Sequence, residues 1–241
     1  MPTPTPPPAP IRAVIFDFNG VLVDDEHVHF DLFREALAAE GVALDESTYR
    51  DRYLGYDDRG CFSAALADAG RPAPPARVDA LIARKAARYA EVAGARLRFF
   101  PAAAESLAAL ARSRPVAICS GALRAEIEYA LGRLEVRDRV GSITSAEDTA
   151  RCKPDPEGYL VALGRLREGV PGLAAAECLA IEDSLAGIAA ARAAGMAAVG
   201  VANTYPRDDL AAAGALAVID SLATLTPAWV DALTTPMNPG S

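Results

Sequence analysis

The stretch IRAVIFDFNGVLVD, residues 11–24, joins a mostly apolar segment to a polar turn. Residues 11–16 are rich in β-branched side chains, and this pattern predicts a buried strand. The strand would end on the carboxylate of Asp17, and Gly20 then allows a sharp turn. Because ligands of an open parallel sheet bind beyond the carboxyl ends of its strands, Asp17 lies where a nucleophile or a metal ligand would lie. An Asp that only ends a strand is the alternative interpretation.

The next segment is helical, with no strand-like run. Its first helix can start at Asp24 or Asp25, either of which can cap it, and ends at Gly41. Three more helices are predicted over residues 45–54, 57–69 and 75–93. Four helices with short links indicate a small bundle, which we assign to residues 24–94. Residues 94–101 are then predicted to be the linker that returns from this bundle.

From Pro101 onward, helix patterns alternate with strand patterns. Helices are predicted over residues 101–113, 123–134, 156–166 and 185–195, and strands over residues 115–119, 140–143, 178–181, 197–201 and 217–219. Such alternation implies a parallel sheet with helices on both faces. The predicted fold class is therefore α/β: a doubly wound, Rossmann-like core formed by residues 11–23 and 95–233, with the four-helix domain inserted after its first strand.

Composition narrows the range of functions. The chain has 241 residues and a net charge of −8, which argues against nucleic acid or an anionic membrane as the main partner. Residues 1–10 hold six prolines and no basic residue, so we expect a disordered tail there rather than a signal peptide, and a second loose tail at residues 234–241. Four scattered cysteines suit a reducing cytosol. We expect a cytoplasmic monomer or weak dimer.

Three further stretches place polar groups after predicted strands or in their loops. Ser120 and Gly121 follow the second core strand, where a hydroxyl and a free amide suit a phosphate oxygen, although Ser120 can also be a plain helix cap. Lys153 lies in the stiff sequence KPDP, and it is one of two lysines among 24 basic residues. Glu182 and Asp183 follow a buried strand, where adjacent carboxylates need a compensating cation, and this donor set suits Mg²⁺.

These four stretches together resemble the motifs of the haloacid dehalogenase (HAD) superfamily, in the subgroup with a helical cap after strand one. The sequence DFNGVLVD resembles the first motif, Ser120 the second, KPDP the third, and IEDS the fourth. They occur in the family's order, and the resemblance covers nearly the whole chain outside the two tails. One position departs from it, because Asn19 stands where the family has a second Asp.

The resemblance implies phosphoryl transfer through an aspartyl-phosphate. Asp17 would be the nucleophile, while Ser120 and Lys153 would hold the phosphoryl oxygens. Mg²⁺ would bind the Asp17 carboxylate, the backbone carbonyl of Asn19, and Asp183, with Glu182 close by or acting through water. Catalysis of this kind depends mostly on positioning and charge stabilisation.

Asn19 limits this chemistry. In the family, the second Asp protonates the leaving group and later deprotonates the attacking water, but an amide cannot exchange a proton at neutral pH. Loss of such help typically costs about 10²–10⁴ in rate. Three interpretations stay open: a phosphatase that is slow or needs a good leaving group, a binding or regulatory protein with little turnover, and partial deamidation of the Asn19-Gly20 pair to Asp. We favour the first, because the other motif residues are retained.

Cap residues are the candidates for substrate recognition. Arg59, in the sequence LGYDDR, matches the family's specificity loop, and a helix-surface Arg is the alternative. Lys85 matches a cap position that often carries a lysine near the substrate in this family. A lysine on a solvated helix face is the alternative interpretation. His29 either faces the site or packs at the hinge between cap and core. Arg124 is a further candidate for substrate contact.

The predicted function is a Mg²⁺-dependent phosphatase for a small phosphorylated metabolite. The alternative is a catalytically impaired protein that binds phosphometabolites. A sugar-phosphate mutase is disfavoured, because it would need the missing carboxylate in both half-reactions. A dehalogenase is disfavoured because it does without the metal-binding carboxylates.

Overall fold

A six-stranded parallel sheet forms the centre of the protein. The structure is a computed structural model and describes residues 10–233. The strands of the described chain are Ala13–Phe16 (β1), Val23–Asp24 (β2), Arg98–Phe99 (β3), Val116–Cys119 (β4), Ser142–Thr144 (β5), Cys178–Glu182 (β6), Ala197–Val201 (β7) and Ala217–Ile219 (β8). The large sheet has the order β5-β4-β1-β6-β7-β8, with β1 parallel to both of its neighbours. The chain first builds the sheet to one side of β1 and then to the other, so β1 marks the switch point at which such sheets bind ligands.

Helices cover both faces of this sheet and form the inserted segment. The α-helices within residues 10–233 are Glu26–Ala39 (α1), Glu46–Arg52 (α2), Asp58–Asp68 (α3), Pro75–Arg96 (α4), Ala103–Ala111 (α5), Arg124–Arg133 (α6), Glu157–Gly169 (α7), Leu185–Ala193 (α8), Arg207–Ala212 (α9) and Pro227–Ala232 (α10). The predicted α/β fold with four inserted helices is confirmed. Sequence analysis missed α9 and α10, because six residues are too short to show a helical period.

The core follows from the alternation of side chains along β1. Val14 and Phe16 belong to a cluster that includes Leu107 of α5 and Ile127 of α6. Ala13 and Ile15 point to the opposite face and join a second cluster with residues of α7 and α8. A parallel strand buried on both faces must be apolar at every position, and this explains the continuous AVIF sequence of β1.

The inserted helices have an apolar cluster of their own. Phe33 and Leu37 of α1 pack with residues of α3 and α4 such as Phe62 and Leu81. Other residues of α1 and α4, including Val28 and Tyr89, belong to the cluster of the sheet domain instead. Helices α1 and α4 therefore connect the two clusters, and their side chains can reach the carboxyl edge of the sheet.

The connection between the two regions differs from the predicted linker. Helix α4 continues to Arg96, and β3 then pairs antiparallel with β2. This two-stranded ribbon was not predicted, because two residues per strand leave no pattern in the sequence. Asp25 is the N-cap residue of α1, but its side chain makes no capping hydrogen bond. Its carboxylate instead accepts hydrogen bonds from the side chains of Asn19, His29 and Tyr89.

No helix in residues 10–233 has both the length and the apolarity of a membrane-spanning segment. The two predicted tails lie outside the described residues, except for Pro10. The assignment of residues 24–94 to a separate cap domain stays a prediction.

Leu107→Ala tests the core against a matched surface change. Leu107 is fully buried in α5, so we expect its replacement to lower the free energy of unfolding by about 2–5 kcal/mol. Leu160→Ala in α7 is the control, because Leu160 is 49% exposed and its loss should change stability by less than about 0.5 kcal/mol. Urea denaturation measures both, and equal losses would contradict this packing.

Candidate active site

A cavity of about 630 Å³ opens at the carboxyl edge of the sheet. Asp17, Ser120 and Asp183 line it, and each directly follows a strand of the sheet, namely β1, β4 and the end of β6. The opposite wall comes from the inserted helices and their loops, including Phe30, Tyr49, Tyr56, Asp57 and Asp58. The cavity therefore lies between the sheet domain and the inserted helices.

Lys153 occupies the centre of the charged cluster. Its Nζ donates to Asp17 Oδ1 at 2.8 Å and to Glu182 Oε1 at 2.6 Å. A third bond goes to the backbone oxygen of Cys119 at 3.1 Å. Burial opposes the charge on this ammonium, but Asp17 and Glu182 outweigh burial and raise the pKa of Lys153 well above its ordinary value. Lys153 is therefore a fixed cation beside Asp17.

The carboxylates outnumber this cation. Oxygen atoms of Asp17, Glu182 and Asp183 lie within 4.8 Å of one another. Burial raises the pKa of Asp17 to about 6, even though Lys153 opposes the change. Burial and the charges of Asp17 and Glu182 also raise the pKa of Asp183 well above its ordinary value. Three buried carboxylates beside one ammonium cannot all hold their charge without a further cation, and a hard divalent cation such as Mg²⁺ fits this set of oxygen donors.

The oxygens of Glu182 already have protein partners. Oε1 accepts a bond from Tyr159 Oη at 2.6 Å in addition to the bond from Lys153. Oε2 accepts a bond from Ser184 Oγ at 3.1 Å. Asp183 differs, because the hydroxyl of Thr204 is the one hydrogen-bond partner described for its carboxylate. The geometry thus favours Asp183 over Glu182 as a direct metal ligand.

Two glycines allow the carboxylates to lie this close to the backbone. Gly20 has a φ of +73°, and a Cβ on it would lie 1.9 Å from Asp183 Oδ2. A Cβ on Gly187, in the first turn of α8, would also lie 1.9 Å from the carboxylate of Glu182. Both positions must therefore be glycine if the acidic cluster is to keep its geometry.

Asn19 is held between the sheet domain and α1. Its Nδ2 donates to Asp25 Oδ1 at 2.9 Å. Its Oδ1 accepts a bond from Ser120 Oγ at 3.3 Å. Asp25 Oδ2 in turn accepts bonds from Tyr89 Oη at 2.8 Å and from His29 Nε2 at 3.1 Å. The ring of His29 stacks on Tyr89 with centroids 5.2 Å apart.

The charges in this network support one another. Burial would raise the pKa of Asp25, but the charge of His29 and the surrounding donors hold that pKa below its ordinary value. Burial and the nearby Lys85 would lower the pKa of His29, but the charge and hydrogen bond of Asp25 raise it instead. Asp25 is therefore a carboxylate that accepts hydrogen bonds.

The structure brings most of the predicted site residues together. Asp17, Asn19, Ser120, Gly121, His29, Lys153 and Asp183 line the cavity, and Glu182 lies directly behind Lys153. Gly121 is close to the inserted helices, since a Cβ on it would lie 3.4 Å from the Cβ of Asp57.

Three predicted substrate contacts lie outside the described lining of the cavity. Arg59 pairs with Asp79 at 2.6 Å beside a shallower outer pocket. Arg124 donates to Asp148 Oδ2 at 2.6 Å. Lys85 is fully buried and donates to Asp58 Oδ1 at 2.5 Å, with its Nζ 4.6 Å from the centroid of the Phe33 ring. A direct role in substrate binding for these three residues stays a prediction.

Sequence analysis did not identify several residues that complete the site. Asn203 and Thr204 follow β7, and Asn203 Nδ2 donates to the backbone oxygen of Gly20 at 2.7 Å. The rule used for Asp17, that polar groups follow a buried strand, would have found both. Tyr89 and Tyr159 lie within helices, so no sequence pattern distinguishes them from ordinary core aromatics.

Comparison with known proteins identifies related sequences. Residues 11–195 match the model of the haloacid dehalogenase-like hydrolase family. Protein CbbY of Rhodobacter capsulatus is 32% identical over 211 residues, covering 84% of this chain and 91% of that protein. Phosphoglycolate phosphatase of Rhodospirillum rubrum is 31% identical over 220 residues, covering 89% of both chains.

Solved structures agree with the sequence matches. The crystal structure of CbbY from Rhodobacter sphaeroides in complex with phosphate superposes with a TM-score of 0.79 at 26% identity. The match covers 92% of this chain and 99% of that one. The similarity therefore extends over the sheet and the inserted helices together.

Gly187→Ala tests the close packing behind Lys153. The added Cβ would overlap the carboxylate of Glu182, so we expect the free energy of unfolding to fall by about 1–3 kcal/mol. Gly164→Ala in α7 is the matched control. A Cβ there meets no atom within 4 Å, and we expect a gain of about 0.5–1 kcal/mol from helix propensity. Urea denaturation measures both, and a neutral Gly187→Ala would contradict the described geometry.

Lys85→Met tests whether Lys85 is structural. Its loss leaves the Asp58 carboxylate partly buried without its cation, and we expect unfolding to become easier by about 3 kcal/mol. The double variant Lys85→Met with Asp58→Asn removes both charges and should lose less stability than the single variant. An unchanged melting temperature in Lys85→Met would contradict the structural role.

Proposed function

Since this chain belongs to the haloacid dehalogenase-like hydrolase family, in its capped subgroup, we propose that it is a Mg²⁺-dependent phosphatase acting through an aspartyl-phosphate on Asp17. The observation that carries this proposal is the convergence of Asp17, Asp183 and Lys153 at the switch point of the sheet, in a cavity large enough for a small metabolite. The named relatives support it, because one of them is a phosphoglycolate phosphatase.

The reaction would proceed in two displacements at phosphorus. A carboxylate oxygen of Asp17 attacks the phosphoryl group, and the bond to the leaving oxygen breaks with its electron pair going to that oxygen. Water then attacks the same phosphorus, the bond to Asp17 breaks, and inorganic phosphate leaves with the carboxylate restored. Lys153 and Ser120 would hold the phosphoryl oxygens, and Lys153 offsets part of their charge.

The metal would be held by the carboxylates of Asp17 and Asp183 and by the backbone carbonyl of Asn19. Glu182 would contribute at longer range, because its oxygens already bind Lys153, Tyr159 and Ser184. When bound, Mg²⁺ neutralises the charge of the carboxylates and of the phosphoryl group. Without it, the acidic cluster would repel a phosphate ester.

Asn19 sets the expected substrate range. An amide can orient a water molecule by a hydrogen bond, but it cannot transfer a proton at neutral pH. We therefore propose turnover that is about 10²–10⁴-fold slower than with a carboxylate at this position for alkyl phosphates. Substrates whose leaving group needs no protonation, such as acyl or aryl phosphates, would be favoured.

A second candidate function is the binding of a phosphorylated metabolite without useful turnover. Asn19 is the observation that favours it, because the rest of the site is retained. Mass spectrometry of residue 19 separates both candidates from activity that comes from deamidation to Asp.

Asp17→Asn tests the nucleophile. We expect release of phosphate from an aryl phosphate to fall to background, since an amide oxygen is a poor nucleophile and a weak metal ligand. Chelation of the metal from the wild-type protein should have the same effect, and added Mg²⁺ should reverse it. Asp220→Asn is the matched control, because Asp220 is exposed and pairs with Arg207 far along the chain from these motifs. Full activity of Asp17→Asn would overturn the assignment.

A further inference from the structure

We propose that Asp25 is a positioning residue for Asn19, and that residues 19 and 25 function as one matched amide–carboxylate pair. In this pair, Asp25 holds the Asn19 amide so that its oxygen faces the reaction centre. The consequence for catalysis depends on the proposed phosphatase function, whereas the pairing itself does not.

The orientation follows from the hydrogen-bonding groups that surround Asn19. An ionised carboxylate only accepts hydrogen bonds, so Asp25 Oδ1 at 2.9 Å selects the Nδ2 end of the amide. The Oδ1 end must then face the opposite side, where Ser120 Oγ lies at 3.3 Å. Asn19 and Ser120 both line the cavity beside Asp17. The amide therefore presents an acceptor, and not a donor, to the reacting groups.

Asp25 is itself rigidly held. Its side chain is fully buried, and its second oxygen accepts bonds from Tyr89 of α4 and His29 of α1. These donors offset the cost of burying a carboxylate. The position of the Asn19 amide is thus fixed by three elements, namely the loop after β1 and the helices α1 and α4.

The same geometry favours an amide at position 19. A carboxylate there would place two acceptor oxygens about 3 Å apart, and their like charges would repel each other. His29 Nε2 lies 3.3 Å from Asn19 Nδ2 and would offset part of this repulsion. The substitution Asn19→Asp is therefore not a simple return of an acid–base group. Exchange of the two residues keeps one amide and one carboxylate in contact, and it moves the carboxylate to the cavity side.

The chemical consequence concerns the second displacement. The oxygen of Asn19 can accept a bond from the water that attacks the aspartyl-phosphate, and so orient it. The fixed amide offers no donor to the leaving oxygen in the first displacement. The pair thus supports hydrolysis of the aspartyl-phosphate and leaves its formation dependent on the leaving group.

The test is a cycle of four proteins: wild type, Asn19→Asp, Asp25→Asn, and the exchanged double variant Asn19→Asp with Asp25→Asn. The first readout is the melting temperature of the metal-free proteins, which needs no activity. We expect each single variant to melt about 5 °C lower, because a buried charge-assisted bond is lost or replaced by repulsion. The double variant should melt within about 2 °C of wild type. Losses that simply add in the double variant would overturn the pairing.

The second readout is phosphate release from phenyl phosphate and from an alkyl phosphate with Mg²⁺. For Asp25→Asn we expect kcat to fall about tenfold with KM unchanged, because the amide orients water but does not hold the bound phosphate. The double variant should turn over the alkyl phosphate about 10²–10⁴-fold faster than wild type, and faster than Asn19→Asp. An unchanged kcat in the Asp25→Asn variant would overturn the positioning role of Asp25.

The two readouts keep the proposals separate. Absence of any turnover that depends on Asp17 in all four proteins would overturn the phosphatase function, while the melting temperatures would still test the pair. Tyr89→Phe removes a donor to Asp25 and leaves both members of the pair in place. It should lower kcat less than Asp25→Asn does, and an effect as large as that of Asp25→Asn would indicate a general loss of packing and overturn the specific role of Asp25.

Discussion

The ammonium of Lys153 holds the site together, because it is the cation around which the carboxylates of two chain segments converge. Asp17 and Glu182 end neighbouring strands, and their like charges can lie this close only with a cation between them. Its position depends in turn on Tyr159, which shares the Glu182 oxygen, and on the absence of a side chain at Gly187. The geometry of the sheet edge therefore depends on the charge balance of the site, because the same Lys153 ammonium that offsets the two carboxylates also joins their strands.

Both lysines of this arginine-rich chain form ion pairs in enclosed sites, with Lys85 fully buried and Lys153 partly buried at the cavity wall. Lys153 lies in the sheet domain, and Lys85 pairs with Asp58 inside the inserted helices. Burial opposes the charge on Lys85, yet Asp58 and Glu126 raise its pKa. Because Glu126 belongs to α6 of the sheet domain, its attraction to Lys85 acts between the sheet domain and the inserted helices. A compact ammonium suits such enclosed sites better than the wide planar fork of Arg. The rarity of lysine in this sequence therefore indicates enclosed ion pairs as much as residues that recognise a substrate.

The role of Asn19 is understood differently from the motif alone and from its contacts in the structure. As an isolated departure from a motif, Asn19 is the loss of a proton donor. Beside Asp25, it is half of a hydrogen-bonded pair that also includes His29 and Tyr89. Asp25 looks like an ordinary helix cap in the sequence, but its carboxylate binds groups from α4 and from the loop after β1 instead. Asp25 therefore makes no capping hydrogen bond to α1, because its buried carboxylate accepts hydrogen bonds from the side chains of Asn19, His29 and Tyr89 instead.

The sequence alone determined the α/β fold, the order of the longer strands and helices, and the positions of Asp17, Ser120, Lys153 and Asp183 at the sheet edge. It could do so because strand and helix periods are local, and because parallel strands bring their carboxyl ends to one edge. Only the tertiary structure decided which side chains meet across distant segments: the pairing of Asn19 with Asp25, the burial of Lys85, and the outward position of Arg59. These depend on the packing of α1, α3 and α4 against each other and the sheet, and the spacing of residues along one helix does not encode that packing.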